Sequence, residues 1–438
     1  AADRAAKIAN NYESFDGENG YTHRYFVSPE GAGNHDGSHP DHALSIAELK
    51  NKYLVSGDIV LFQRGATFRI SEPIQVVSGV KYGAYNSGAK PVISGSVRNY
   101  AEDTALWNTT GTENVWKLAN LPGEAGVMTF DNDRAVGIRK FSTGELRQNG
   151  DYYYDMGSHD LYLYFNNGNP AEYFETIEIG TTEELITGTD PSKDLGNVEI
   201  HNLELKYASK MGINLSKTSN IKIANCKIGW IGGAISHGTT RFGNGIQLWA
   251  RSSNSSVENC HIYQIYDAGI TFQGSYGSGS RFQNLTFSGN LMEYCSMNFE
   301  YWATSADVAG DPTITDITFS DNMVRFGGYG WGALERSSLT DQAMILAWGN
   351  WYKNFSVSIT NNVFDCADCN FIWSRLPGEQ SGLTISGNTY YQRTPSGNNP
   401  EVTVIRSDSS TEAKGQSSFE AAIWKFDSNP SVILWLAE

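Results

Sequence analysis

Seven short segments of the chain share one pattern: VEIHNLEL, IKIANCKI, SSVENCHI, LTFSGNLM, ITFSDNMV, VSITNNVF and LTISGNTY. Each is an alternating apolar strand that runs into an asparagine and then into another apolar residue. The asparagines are Asn202, Asn225, Asn259, Asn290, Asn322, Asn362 and Asn388; the interval is 23 residues from Asn202 to Asn225 and 40 from Asn322 to Asn362. A fixed motif with insertions of unequal length describes a solenoid whose loops vary on one side. Period-two alternation and β-branched residues make each unit a strand. No helical pattern separates the units, so consecutive strands must stack in parallel as turns of a coil. Asparagine tolerates the left-handed backbone of a sharp corner, and stacked amides can bond one another along the coil. The expected fold is all-β, a right-handed parallel β-helix forming a single domain over residues 1–438. Asn225, Asn259, Asn290 and Asn322 are expected in one column at one edge, neighbours about 5 Å apart.

A second strand recurs after each corner: GINLS, GIQLW, GITFQ, NFEYW, ILAWG and NFIWS. Alternation turns Ile213, Ile246, Ile270, Phe299 and Phe371 into the coil. Asn214, Gln247, Thr271, Glu300 and Ile372 then face outward in one column, and Ser216, Trp249, Gln273, Trp302 and Ser374 in a second. Trp348 belongs near the second column. The segment SMNFEYWAT thereby gains a reading: Phe299 and Tyr301 point in, while Glu300 and Trp302 look out.

Residues 100–190 break the repeat; DYYYDMGSHDLYLYF reads as two strands about a turn, hence an inserted small β subdomain. DHALSIAELKNKY reads as an amphipathic helix able to plug one end of the coil. Residues 415–438 read as a closing cap, with Ser417 and Glu420 at capping-box spacing. The net charge of −16 disfavours nucleic acid and anionic membranes as partners. No apolar run is long enough for a membrane span. The start, AADRAAKIAN, fits a mature secreted protein and equally a cytosolic one. Five cysteines do not make a disulfide framework; Cys226 and Cys260 read as core residues, and the isolated CADC of Cys366 and Cys369 as a local disulfide or two thiols rather than a zinc site.

YFVSPEGAGNHDGSHPDHALSI, GDIVLFQRGATF, YGAYNSGAKPVISGS and the asparagine-cornered coils together resemble the pectate-lyase-like β-helix superfamily. The resemblance covers most of the chain and is nearest to secreted glycoside hydrolases and polysaccharide lyases. It implies a secreted or periplasmic enzyme, expected to be a monomer, acting on a polysaccharide or oligosaccharide. The NTD, DD and GHG pattern of polygalacturonases is missing, as is the YGFDPHD motif of alginate epimerases. No family's catalytic residues therefore carry over.

The residues themselves suggest a site. Trp249 and Trp302, two coils or about 10 Å apart, offer flat faces to pyranose rings, with Gln247, Gln273, Asn214 and Thr271 as hydroxyl partners. Glu300 is the candidate general acid, or else one half of an ion pair with Arg325 or Arg281. Asp267, in IYDAGITFQ, is the candidate second carboxylate, or else a turn residue bonding its own backbone. Glu335 and Asp341 are the substitutes. His237 and Arg241, in GGAISHGTTRFGNG, could orient substrate or remain surface polar groups. Asp155 and His159 could form a groove wall. With no Lys or Arg in the outward columns, a glycoside hydrolase is favoured over a polysaccharide lyase, and both over a non-catalytic binding solenoid. No metal or cofactor is expected, calcium entering only for a lyase.

Overall fold

The computed structural model describes residues 1–190, 192–274, 280–302, 313–336, 342–347, 354–368, 370–374, 382–394, 402–406 and 411–436. Asp341, Trp348 and Cys369 lie outside them. The chain winds as a parallel β-helix with three strand-bearing faces. One face carries the first halves of strands Ala208–Ala224 and Ile246–Glu258, then Ala268–Gln273, Met297–Tyr301, Ala343–Ala347 and Asn370–Ser374, each paired in parallel with the next. The second halves of the two long strands turn onto a second face, continued by Arg281–Ser288, Thr313–Ser320, Asn354–Thr360 and Leu383–Ser386. A ten-stranded sheet makes the third.

Register stacks like on like. Ile213, Ile246, Ile270, Phe299, Ile345 and Ile372 form one buried inward column. Burying each such side chain favours the coil by roughly 1.5–3 kcal/mol. Ile372 thus departs from the expected outward position: Phe371 and Ile372 both enter the core, and Trp373 takes the outward place above Leu346. Strict alternation fails at this strand.

The asparagine column also resolves differently. It is two columns, one residue apart. Asn202, Asn225, Asn259, Asp321 and Asn361 take the left-handed corner, with φ between 51° and 60°, and Gly289 and Gly387 fill the same place in their coils. At six of these corners the N–H donates to the next turn, from Asn202 to Ala224 O through to Asn361 to Ser386 O. The following position points inward and holds Cys226, Cys260, Asn290, Asn322, Asn362 and Asn388. From Asn290 onward each Nδ2 donates 3.0 Å to the next Oδ1, and Asn388 ends the run on Asp427 at 2.9 Å. Each Nδ2 also donates to a main-chain carbonyl, those of Val257, Phe287, Phe319 and Ile359, so the buried amides are satisfied. Asn225, Asn259, Asn290 and Asn322 therefore do not share one column as expected. Cys226 and Cys260 are buried free thiols in the ladder position, and Cys366 is a buried free thiol as well.

Two further corners are left-handed. Asn197, Asn220, Asn254, Asn284 and Asp316 occupy one, with amide bonds from Asn220 to Asn197 at 3.0 Å and from Asn284 to Asn254 at 2.8 Å. Tyr207, Trp230, Gln264, Tyr294, Phe326 and Cys366 occupy the other, at φ 48–63°. Such bulky residues cost about 1–2 kcal/mol each in this conformation; parallel pairing on either side of the corner holds them there.

Residues leave the coil after Val92–Ser94 and return at Thr182–Gly188. Between lie a five-stranded and a three-stranded sheet with a separate core that includes Trp107, Tyr152, Leu163 and Ile179. The chain opens on helix Ala2–Ala9, and within DHALSIAELKNKY only Ile46–Lys50 is α-helical, its capping box made by Ser45 and Glu48, with Leu44 and Leu49 in the main core. At the end, helix Gln416–Ile423 buries Phe419, Ala422 and Ile423 against the coil. Its N-cap is Gly415 without a side-chain bond, so Ser417 and Glu420 form no capping box. Among the described residues, no helix is long and apolar enough to cross a membrane.

The first residues run along the corners. Arg4 Nη1 donates to Asn290 O at 3.1 Å, Asn202 Nδ2 donates to Asn11 Oδ1 at 3.1 Å, and the Phe15 ring packs 4.6 Å from that of His201. Burial, with Lys222 and Lys81 nearby, pushes the His201 imidazole down to about 4, and Glu199 at 3.4 Å makes no hydrogen bond with it. The folded state thus prefers neutral His201. Its contribution is full above the ordinary value of 6.5 and is lost as pH falls toward about 4. That loss is expected to approach roughly 3 kcal/mol. His201→Gln should flatten the fall in thermal midpoint across this window; an unchanged slope would refute the assignment.

Candidate active site

A cavity of about 600 Å³ opens on the first face. Its floor is built from part of the first outward column, Asn214 and Gln247, and from the second. Asn214, Gln247, Thr271 and Glu300 are in register, and beside them run Ser216, Trp249 and Gln273, with Trp302 one turn above. Asn214, Ser216, Gln247, Trp249, Gln273 and Trp302 line the cavity, whereas Thr271 is fully buried beneath it and not at the hydroxyl-binding place expected of it. The amides are wired in one direction. Trp302 Nε1–H donates to Gln273 Oε1, and Gln273 Nε2 to Gln247 Oε1 at 3.1 Å. Gln247 Nε2 donates to Asn214 Oδ1 at 3.0 Å, and Asn214 Nδ2 to the Glu184 carboxylate at 2.6 Å. Asn244 Nδ2 adds a second bond to Gln247 Oε1 at 2.9 Å. Each amide is locked by its neighbours, so the floor presents fixed donors and acceptors.

Trp249 and Trp302 are closer than the coil pitch implies. The rings lean toward each other over Gln273, centroids 6.1 Å apart and edge to face at 87°. They form one aromatic corner rather than two separate platforms. Trp302→Ala removes both a stacking surface and the first donor of the amide chain. It is expected to weaken saccharide binding by roughly 1–3 kcal/mol with little change in thermal midpoint, because the half-buried ring lies outside the coil. Titration calorimetry checks this; a large loss of stability at unchanged affinity would place Trp302 in a structural role.

Asp267 lines the wall. It is no self-bonding turn residue: its Oδ1 accepts from Arg336 Nη2. The Arg336 guanidinium also lies over the Tyr266 ring at 5.2 Å. Burial works against its charge, but Asp267, Tyr266 and Glu300 together hold it above the ordinary arginine range. Arg336 therefore stands in the field of both candidate acids. Glu300 is only 6% exposed, between Thr271 below and Leu346 above, and is not among the residues lining the cavity. Arg325, suggested as its partner, is on the third face with Asp365 and Glu293, and Arg281 is exposed on the second.

Glu335 and Arg241 do not line the cavity. Each side chain is 2% exposed, and the two form an ion pair. Glu335 Oε1 also accepts the Arg139 N–H at 2.5 Å, and Arg241 lies 4.7 Å over Tyr266. Burial pushes the Glu335 carboxyl up against the pull of Arg241; burial likewise opposes the Arg241 charge, and Glu335, Tyr152 and Tyr266 together more than offset it. The pair is a structural lock, which corrects both the reserve catalytic role of Glu335 and the substrate-orienting role of Arg241. His237 is exposed near the tip of the hairpin Ala234–His237 and Thr240–Phe242, whose Ser236 and Phe242 line the cavity. Asp155 lies in a separate cavity, and His159 Nδ1 bonds Tyr154 Oη at 2.7 Å.

Several lining residues escaped the strand pattern. Lys217 sits at the left-handed corner after Ser216, and Asn244, Met211 and Thr189 come from neighbouring turns. Cations therefore do reach this face, Lys217 from a corner and Arg336 from a loop, although the columns contain none. Among the described residues, no group of three or more His, Cys, Asp or Glu could hold a metal ion.

The fold is thus that of a parallel β-helix with an outward, amide-floored cavity. Residues 192–343 match the family described as right-handed beta helix region, which fixes the hand. No curated protein matches the chain in sequence. Among solved structures, one titled glycoside hydrolase is similar at 11% identity, covering 94% of this chain and 96% of its own, with a TM-score of 0.47. A lacto-N-biosidase from Eubacterium ramulus is similar at 13% identity, covering 88% and 67%, with a TM-score of 0.41. Pectate lyase Pel9A is similar at 12% identity, covering 89% and 79%, with a TM-score of 0.39. Likeness at this level concerns the path of the chain and not its chemistry.

Proposed function

We propose that this protein is a carbohydrate-active enzyme, a glycoside hydrolase that holds a polysaccharide in the 600 Å³ cavity and cleaves it with Asp267 and Glu300. The observation that carries this reading is the floor itself: a one-way chain of amides ending in a tryptophan corner, with a carboxylate on the wall. Aromatic faces bury the C–H faces of sugars, and fixed amides pair with hydroxyls that would otherwise lose water bonds. Hydrolysis needs an acid and a second carboxylate. Asp267 is in place at the wall, and Glu300 is the other acid whose charge Arg336 feels. A polymeric substrate would place the enzyme outside the cytoplasm.

A polysaccharide lyase is the second reading, favoured by Lys217 in the cavity wall and by Arg336 beside Asp267. A lyase needs a base and a cation to neutralise a uronate. A polysaccharide panel read for reducing ends and for ultraviolet absorbance separates the readings. Reducing ends without new absorbance support hydrolysis. Both signals together indicate β-elimination. Binding without either leaves a carbohydrate-binding solenoid, and no binding to any polysaccharide refutes all three.

A further inference from the structure

The hairpin that borders the first cavity also borders another. Between it and the inserted subdomain lies a cavity of about 360 Å³, lined by Tyr153, Phe141, Met156, Lys140, Asp155 and Thr239. The hairpin is a thin partition. Ser236 and Phe242 face the first cavity, while Ile235, Gly238 and Thr239 face the second. Consecutive residues of a strand point to opposite sides, so one two-stranded wall serves both.

The lining of the second cavity is unusual for a surface. Phe141 is 40% exposed and Met156 is 55% exposed, although both are large and apolar. Tyr153 stands beside them and stacks on Tyr162, centroids 6.1 Å apart at 22°. Polar groups alternate with these rings. Lys140 pairs with Asp151 at 3.1 Å, and Asp155 Oδ1 accepts from Gly157 N at 2.8 Å, which fixes the turn. Arg139 is consumed elsewhere, by Glu124 at 2.7 Å and by two carbonyls. Flat apolar surface interleaved with hydroxyl-binding groups suits a sugar chain. The concavity is too small for a folded partner, and nothing in it resembles an acid pair.

We propose that this second cavity is a saccharide-binding site, which holds the stretch of polymer running past the hairpin from the first cavity. It rests on the saccharide reading of the first cavity and adds a substrate preference: long chains gain contacts that short ones cannot reach.

The test compares Tyr153→Ala, Phe141→Ala and the ring-keeping Tyr153→Phe on size-graded oligosaccharides of whichever polysaccharide the panel identifies. For hexasaccharides and longer, the two alanine variants are expected to raise KM by about tenfold, the scale of one lost aromatic contact. Disaccharide KM and kcat should stay at parental values, and Tyr153→Phe should behave as the parent. An unchanged KM on long chains, or an equal rise on short and long ones, overturns the proposal. Phe141→Ala on its exposed loop keeps the question answerable should Tyr153→Ala fail to fold. If Trp302→Ala loses saccharide binding while these variants show no length dependence, only this second site is refuted. If the parent binds no saccharide, the first reading falls and this one with it.

Discussion

Asp267→Asn is expected to lower turnover by about 10²–10⁴-fold, the usual contribution of a positioned acid or base. Asp267 is the one carboxylate among the described residues that lines the main cavity. Asparagine keeps the size of the side chain but can neither take nor give the proton. Glu300→Gln should cost a comparable factor if Glu300 is the partner acid. The double variant should then lose less than the product of the two, because groups that act as a unit are not additive. Saccharide affinity should persist in each, since Gln247, Gln273 and Trp302 are untouched. Single-turnover rates and calorimetric affinities on the identified substrate decide this. If Asp267→Asn turns over like the parent, the wall carboxylate is not catalytic and only the amide floor of the proposed site stands. If only Glu300→Gln retains parental turnover, Glu300 serves Arg336 by charge alone.

The repeat was legible because coil packing is local and periodic. Ile213, Ile246 and Ile270 recur at a fixed step from Asn214, Gln247 and Thr271, and register preserves that step from coil to coil. What misled was a letter shared by two adjacent positions. In IANCKI the asparagine is the corner; in SGNLMEY it is the residue after the corner; in TNNV both are present. Aligning strand ends instead, Ala224 with Glu258 and Ser288 with Ser320, separates the corner from the ladder and shows Cys226 and Cys260 standing where later coils place an amide. A second corner column, Asn197 through Asp316, was visible in the sequence at the same kind of spacing. Phe371 was read correctly as inward, but Ile372 could not be, because a second consecutive inward residue violates alternation. Arg336 and Lys217 were beyond reach for another reason. Lys217 sits at a left-handed corner inside its own strand, where alternation does not say which way the side chain faces, and the place of Arg336 depends on where a loop of a distant coil folds, which no periodicity encodes. The same holds for Arg241 and Glu335, 94 residues apart and joined only in the folded chain.

Glu335→Gln is expected to destabilise the protein by about 3–5 kcal/mol, the range for breaking one partner of a buried ion pair. The guanidinium of Arg241 would be left charged and sealed at 2% exposure, with its remaining bonds to the Gly233 and Gly126 carbonyls. The effect should spread beyond stability. Glu335 joins three elements: the hairpin through Arg241, the inserted subdomain through the Arg139 N–H, and its own loop. The next residue in that loop is Arg336, which holds Asp267. Loosening the lock therefore frees the cation that orients the wall carboxylate, and turnover should fall although Glu335 touches no substrate. Replacing both partners by apolar residues of similar size, Arg241→Met with Glu335→Leu, removes the stranded charge and should recover much of the stability. It should not recover turnover, because the anchor of Arg336 is still missing. Chemical denaturation and initial rates on the same three proteins separate these effects. Recovery of stability and turnover together would show that Arg336 keeps its place without Glu335; a loss of less than about 1 kcal/mol in Glu335→Gln would show that the pair behaves as a solvated one.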